Sequence, residues 1–548
     1  MLNKAINFFW DKKLLLLFFT SAVITSFELL SVAIIFPYLE FITNQELFIN
    51  DFKNGILSSI ISIKFLNLTN FSIIVLIIIF ASLITKALYQ LQELKYINKI
   101  RVDLSRRIYL KLKNTGYKSK ERHKDSELVT IFMTEIDIIT QHVLTPIITS
   151  IAYFSLTFAL FGYLLYINPK MLILSIIIFG IYYLIVVFII RKKLKNNSND
   201  RANSNLSRAS NIEDTIKSLA ILDLYKAWDY IQIPFIKNSE IYANASKTNQ
   251  YAIKLPQTIL EGFLFSSIVI IVLIFSENNS FNDVIPELAV FVFAALKLKP
   301  SLNGIYSLFV SISFAQAALD NIITFLKYPD LLQKKLFTRK VINDNNISGI
   351  KIKIKGLNFN YRDKKVFDDL HFTIDSKKIT CLTGESGKGK STLLYLISNL
   401  LEPSFGEISI YINSDKKELS DIFTLVPQEG FIIQGNIYQN ILLKNNFTSQ
   451  DKNEIDDMLI DLGLTDLLVN SEKPLLGLSG GQKQRLSVAR ALIRKPECIL
   501  MDEPTSALDK KNKHKLIKLI QDVSNIIPVI IVTHDKDIIK NSEKNIIL

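Results

Sequence analysis

The chain has 548 residues, 49% of them hydrophobic, with a formal charge of +13, which is long enough for two or more domains. Its two cysteines, Cys381 and Cys498, lie in separate apolar runs. That excludes a disulfide framework and a cysteine-based metal cluster, and it suits a reducing compartment.

The first apolar tract runs from about Leu14 to Phe36, after Lys4, Lys12 and Lys13. It is long enough to cross a bilayer, too long for the core of a leader peptide, and no small-residue cleavage site follows, so an uncleaved first span is expected. Further tracts at 71–88, 146–167, 169–190, 256–276 and 284–310 predict six spans, the third and fourth joined by a turn at Asn168-Pro169. Lysine and arginine number twelve between Lys86 and Lys124 and eleven between Arg191 and Lys254, against two from Pro37 to Asn70 and none over 277–283. Both termini and both basic loops are therefore expected in the cytoplasm. The basic excess reflects topology and anionic lipid, and nucleic acid is not expected as a partner.

The basic loops keep apolar residues at helical spacing, as at Ile97, Ile100, Leu104, Ile108 and Leu112. The spans should thus continue as cytoplasmic helices with crossing tips near 115–128 and 210–232. The segment 44–70 carries a weakly amphipathic run that reads equally as a helix on the outer surface or a hydrophobic loop packed on the bundle. Residues 330–349 are polar and turn-rich, and strands alternate with helices from Lys351 onward. The expected architecture is an α-helical six-span membrane domain (1–328), a linker (329–349) and an α/β domain (350–548).

GESGKGKST, Gly384 to Thr392, lies between an apolar strand (379–383) and a helix. Gly384, Gly387 and Gly389 let successive N–H groups curl round a phosphate, together with the backbone of Glu385, Ser386 and Lys388. Lys390 is placed for the β- and γ-phosphates, and Ser391, next to Thr392, for Mg²⁺. The strand before EP, CILMD, delivers Asp502 to its tip as a second Mg²⁺ ligand, with Glu503 placed to orient and deprotonate water. In LSGGQKQR, Ser479, Gly480, Gly481 and Gln482 open a helix and form a second anion site.

GESGKGKST, LSGGQ, ILMDEP and SALD in this order resemble the nucleotide-binding domain of ATP-binding cassette (ABC) proteins, over residues 351–548. The resemblance implies an α/β P-loop ATPase using ATP and Mg²⁺, with two cassettes meeting head to tail around nucleotide. It implies adenine stacking by Tyr361, a Mg²⁺ or water contact and coupling role for Gln428, an interface position for Asp509, and γ-phosphate contact by His534. Six spans ahead of one cassette resemble a half-size exporter, so a homodimer in a bacterial inner membrane is expected, with a heterodimer as the alternative. EPTSALD and VTHD are spellings more common in importers, and the segment before LSGGQ lacks the acidic, glycine-containing loop usual in exporters.

Glu28 and Glu261 fall inside spans, where acids face a cavity or a partner. Lys86 and Lys297 lie at the cytoplasmic ends of spans, in reach of a phosphate or snorkelling to the interface. The stretches 26–43, 255–263 and 291–305 are similar to PglK-type flippases of lipid-linked oligosaccharides. That similarity implies flipping of a polyprenyl-diphosphate-linked glycan, with Lys86 and Lys297 on the diphosphate. A multidrug, lipid or peptide exporter is the alternative within the class, and a soluble ABC ATPase acting on nucleic acid the one outside it.

Overall fold

A computed structural model describes residues 13–43, 67–121, 123–167, 197–276, 281–327, 337–361, 364–415, 418–475, 477–506 and 508–548, with isolated positions between 169 and 188. The expected fourth span, the body of the 44–70 segment and the Asn168-Pro169 turn lie outside the described residues. The chain divides into two compact units, Met1–Lys113 with His123–Tyr328, and Pro329–Leu548 with Asn114–Arg122.

The first unit is helical: α1 Lys13–Ala33, α2 Ile35–Thr43, α3 Leu68–Thr115, α4 Asp125–Ile167, α5 Asn197–Tyr225, α6 Trp228–Ser276, α7 Phe281–Phe314 and α8 Gln316–Lys327. Four helical segments among the described residues, Leu17–Thr43, Leu68–Lys120, Asp125–Ile167 and Leu288–Phe314, are long and apolar enough to cross a membrane. They carry the expected first, second, third and sixth tracts, and the fifth tract is the C-terminal part of α6. Their exposed faces are rich in large apolar side chains such as Phe19, Ile77, Phe80 and Phe158, as a helix facing hydrocarbon requires.

The helices run well past the apolar tracts. The helical spacing read from Ile97 to Ile108 is the buried face of α3, where Ile97, Leu104 and Ile108 pack with Ile136, Ile139 and Val143 of α4. Two π-turns, Ile131–Glu135 and Thr140–Leu144, interrupt α4. Beside the first, the fully buried Arg201 of α5 donates from Nη2 to Glu135 Oε2 at 3.1 Å, and Asn205 Nδ2 donates to the Thr134 hydroxyl. Gly304 of α7 lies under the Tyr153 ring, where a Cβ would come within 2.0 Å of Cε2. The second tip is a tight turn between α5 and α6, with Lys226 at φ 51°.

In the second unit, β1 Phe337–Asn343, β2 Ile350–Tyr361, β3 Lys364–Ser376 and β5 Phe405–Ile412 form a sheet of order β1-β5-β2-β3. Residues 337–343, read above as linker, are thus a strand, parallel to β5 with Val341 opposite Ile410. Their short polar alternation hid a strand whose N–H and C=O groups are satisfied by a partner 69 residues away, from Phe337 to Gly406. In β2, Ile350, Ile352 and Ile354 are buried while the lysines between them face outward, the period-2 pattern of a half-buried strand.

The second sheet is parallel, with order β6-β7-β8-β4-β9: β4 Ile379–Thr383, β6 Phe423–Val426, β7 Cys498–Asp502, β8 Val529–Val532 and β9 Lys544–Ile547. β7 and β8 are buried along their whole length, which is why both read as unbroken apolar runs. Residues Asn114–Arg122, with a short 3₁₀ helix over Gly116–Glu121, belong to this unit. Lys118 Nζ lies 2.6 Å from Glu402 Oε1, and the Tyr117 and Tyr395 ring centres are 5.3 Å apart.

Candidate active site

β4 and β7 both end on the edge of the parallel sheet where ligands bind in open α/β folds. After β4 the chain turns through Gly384, Gly387 and Gly389 at φ of 146°, 85° and 88°. Gly389 is the N-cap of α9, Lys390–Ile397, and a Cβ on it would strike Val366 and Phe367. Thr392 is buried in the first turn, whereas Glu385, Ser386 and Lys388 are exposed. Lys390 Nζ donates to the Gly384 and Glu385 carbonyls, both at 2.9 Å, so the loop is closed over its own lysine.

Ser391 Oγ donates to Asp502 Oδ1 at 2.9 Å, joining the loop to the tip of β7 across 111 residues. Burial raises the Asp502 carboxyl above the ordinary range; the Ser391 hydrogen bond opposes this, Glu503 adds to it, and Lys390 opposes it. Above the ordinary carboxylate pKa the unfolded chain ionises freely while the fold must ionise a buried group, so this residue makes the ligand-free protein less stable as pH rises. The expected result for Asp502→Asn is a higher melting temperature of the nucleotide-free protein at about pH 8, a difference that closes towards about pH 4. Thermal melts of both proteins in one detergent across that range check it. Equal melting at both ends would remove the burial argument.

Glu503 has φ 44°, a left-handed backbone unusual for this residue. Its N–H donates to Val532 O at 2.8 Å, pinning the turn to β8. The carboxylate stands 3.9 Å from His534 Nε2, and both line an open cavity of about 630 Å³. Behind them, Asp535 accepts from the Thr505 hydroxyl at 2.8 Å and pairs with Lys513 at 2.8 Å. Burial raises the Asp535 carboxyl, but Lys513, Thr505 and the Asp537 N–H outweigh it and hold the group below its usual value. This Thr505–Asp535–Lys513 support was not singled out in the sequence, although Asp535 follows His534 directly in VTHD.

Ser479 caps α10, Gly480–Leu492, and Gln482 bonds back, forming a reciprocal capping box. Gln482 also donates to Asp466 at 2.8 Å. Among the described residues no hydrogen bond links this helix start to the phosphate loop, so one chain carries two separate half-sites. Asp509 caps Lys510–Ser524 through the Asn512 N–H. Tyr361 ends β2 with its ring edge-on to Phe359 at 4.9 Å, and Gln428 is exposed just after β6.

A family profile described as "ABC transporter transmembrane region" matches residues 14–296, and one described as "ABC transporter" matches 367–506. The chain belongs to the ABC transporter family. An export ATP-binding/permease protein of Rickettsia bellii is 30% identical over 271 residues, 47% of this chain and about half (46%) of that protein's length. An ATP-dependent lipid A-core flippase of Francisella tularensis is 24% identical over 83% of this chain and 76% of its own. A solved bacterial Atm1-family ABC exporter with ATP bound superposes with a TM-score of 0.73 over 98% of this chain and 94% of that one, at 16% identity, which establishes an exporter fold. This ABC exporter is of the kind that hydrolyses ATP to drive transport.

In the membrane-spanning unit of this exporter, Lys86 is held by the buried Glu28 at 2.7 Å. Glu261 pairs with Lys299 of α7. Lys297 lines the same cavity as Glu28 and Lys86 and has no ion-pair partner among the described residues. Lys299 sits one turn before Asn303, with Gln257 of α6 and Thr145, Thr149 and Tyr153 of α4 lining a common pocket of about 590 Å³.

Proposed function

We propose that this exporter flips a lipid-linked oligosaccharide from the inner to the outer leaflet of a bacterial inner membrane. It works as a homodimer, with both termini and both cassettes in the cytoplasm. The observation that carries the substrate reading is the 590 Å³ pocket. Thr145, Thr149, Tyr153, Ser307, Gln257 and Asn303 line it; the Thr145, Thr149 and Ser307 hydroxyls donate to their own helix backbones and keep lone pairs as acceptors. Donors and acceptors mixed around a tyrosine ring suit a sugar better than an apolar drug. Its one charged residue, Lys299, is already paired with Glu261. The relative named a lipid A-core flippase supports a glycolipid, and the three PglK-like stretches support a polyprenyl-diphosphate carrier. With Lys86 bonded to Glu28, a diphosphate clamp formed by Lys86 and Lys297 together requires that ion pair to open.

The hydrolytic residues fit MgATP. Lys390 is a buried ammonium held only by loop carbonyls, and Ser391 and Asp502 set two hard oxygens 2.9 Å apart at the loop, the donor set a Mg²⁺–phosphate group takes. Mg²⁺, when bound with the nucleotide, supplies positive charge against the γ-phosphoryl group. Lys390 neutralises the β- and γ-phosphates, and the loop N–H groups orient them. Glu503 accepts the proton of the attacking water, and His534 positions that carboxylate and the phosphate. Ser479 and the helix start behind it complete the site on the second copy, which Gln428 links to the membrane domain.

The test is hydrolysis by the purified protein in lipid nanodiscs, with and without a polyprenyl-diphosphate oligosaccharide. Stimulation by the glycolipid and not by drugs is the expected result. Hydrolysis that responds to drugs and ignores the glycolipid would replace this substrate class with that of a general exporter.

A further inference from the structure

A second cavity in the membrane-spanning unit, about 120 Å³, is lined by Glu28, Lys86, Tyr89, Glu93, Tyr153 and Lys297. Glu28 and Lys86 neutralise one another. Glu93 is only 7% exposed, and its Oε1 has no hydrogen-bond partner; Tyr89 is 5% exposed, and its hydroxyl has none. The two are four residues apart on α3 and so present neighbouring groups on one face. A buried acceptor left without a donor is unfavourable by several kcal/mol in an apolar setting, so this pair is built to meet a ligand.

The charge inventory narrows the ligand. Beyond the Glu28–Lys86 pair the cavity holds one free carboxylate, Glu93, and one cation without an ion-pair partner among the described residues, Lys297. A divalent metal favours several anionic oxygens, and with Glu28 held by Lys86 the cavity leaves Glu93 as its one carboxylate without a cation. A neutral sugar or a simple anion leaves Glu93 uncompensated. We propose that this cavity binds a small zwitterion, its primary ammonium on Glu93 and the Tyr89 hydroxyl and its phosphate on Lys297. Phosphoethanolamine is that chemistry, carried either by a bilayer lipid or by a water-soluble ester. Three N–H donors distinguish it from a choline headgroup, which has the same charge and no donor.

The test does not use the oligosaccharide, so it stands or falls apart from the transport reading. Native mass spectrometry of the full-length protein in detergent would compare phosphatidylethanolamine with phosphatidylcholine of the same chains. The expected result is about tenfold tighter binding of the ethanolamine lipid, the size of one charged hydrogen bond. Glu93→Gln abolishes that preference and Tyr89→Phe weakens it, the second being a near-isosteric change that keeps the fold. Competition by soluble glycerophosphoethanolamine shows that the headgroup suffices. Its failure, with the lipid preference intact, assigns the site to a bilayer lipid. Equal binding of the two lipids by the unaltered protein, or a preference that survives Glu93→Gln, overturns the proposal.

Discussion

Glu503→Gln lowers ATP hydrolysis by a factor of about 10²–10⁴, the range for a positioned general base, while nucleotide binding persists. The carboxylate is aimed into an open cavity beside His534, 3.9 Å away. Its backbone is held in the left-handed region by the bond to Val532. Such strain persists only where the surroundings over-determine it, so the amide is presented from the same place as the acid. The loss therefore appears in kcat, with the KM for ATP nearly unchanged. Phosphate release at saturating ATP, measured beside nucleotide binding, separates the two. A loss below tenfold would move the base elsewhere, and His534→Ala would then be the variant that silences the enzyme.

The largest expected effect on stability lies far from the nucleotide, at Arg201 and Glu135. Their side chains are 0% and 4% exposed and meet at 3.1 Å, and Arg201 Nε and Nη1 have no hydrogen-bond partner. The Arg201 guanidinium also lies 5.5 Å over the Phe314 ring. Removing one partner of such a pair leaves a buried charge uncompensated, so Glu135→Leu or Arg201→Met alone should destabilise the protein by about 3–5 kcal/mol. The double substitution should recover most of that loss, because both desolvation penalties vanish together. Thermal unfolding of the four proteins in one detergent gives the coupling directly. Single losses below about 1 kcal/mol would mean that the pair behaves as a surface ion pair does.

The hydrolytic half was legible because its chemistry depends on backbone shape. Three glycines before Lys390, and two acids after an apolar strand, are readable at short range, and the fold brings Ser391 to Asp502 as those spacings imply. Helical periodicity over Ile97–Ile108 was legible for a similar reason, since one face had to be buried. What escaped was pairing at long range. Phe337–Asn343 is a strand because β5 lies beside it, and nothing in its seven residues announces that. Lys86 was readable as a cation at the cytoplasmic end of a span, but its capture by Glu28, 58 residues earlier, was not. The Thr505–Asp535–Lys513 cluster beside His534 likewise joins two loops and a helix that are separate in the sequence.

Asn114–Arg122 belongs to the cassette unit although more than 200 residues separate it from Pro329. The ATPase is therefore not a module that recombination can lift out at one junction. A cassette grafted from a relative at residue 329 would replace Tyr395 and Glu402 and leave the host's Tyr117 ring and Lys118 charge without the partners they have here. Chimaeras should thus succeed in matched sets, the short turn at 114–122 travelling with its cassette. Over evolutionary time, substitutions at Tyr117 and Lys118 should follow those at Tyr395 and Glu402 more closely than those of their immediate neighbours along the chain.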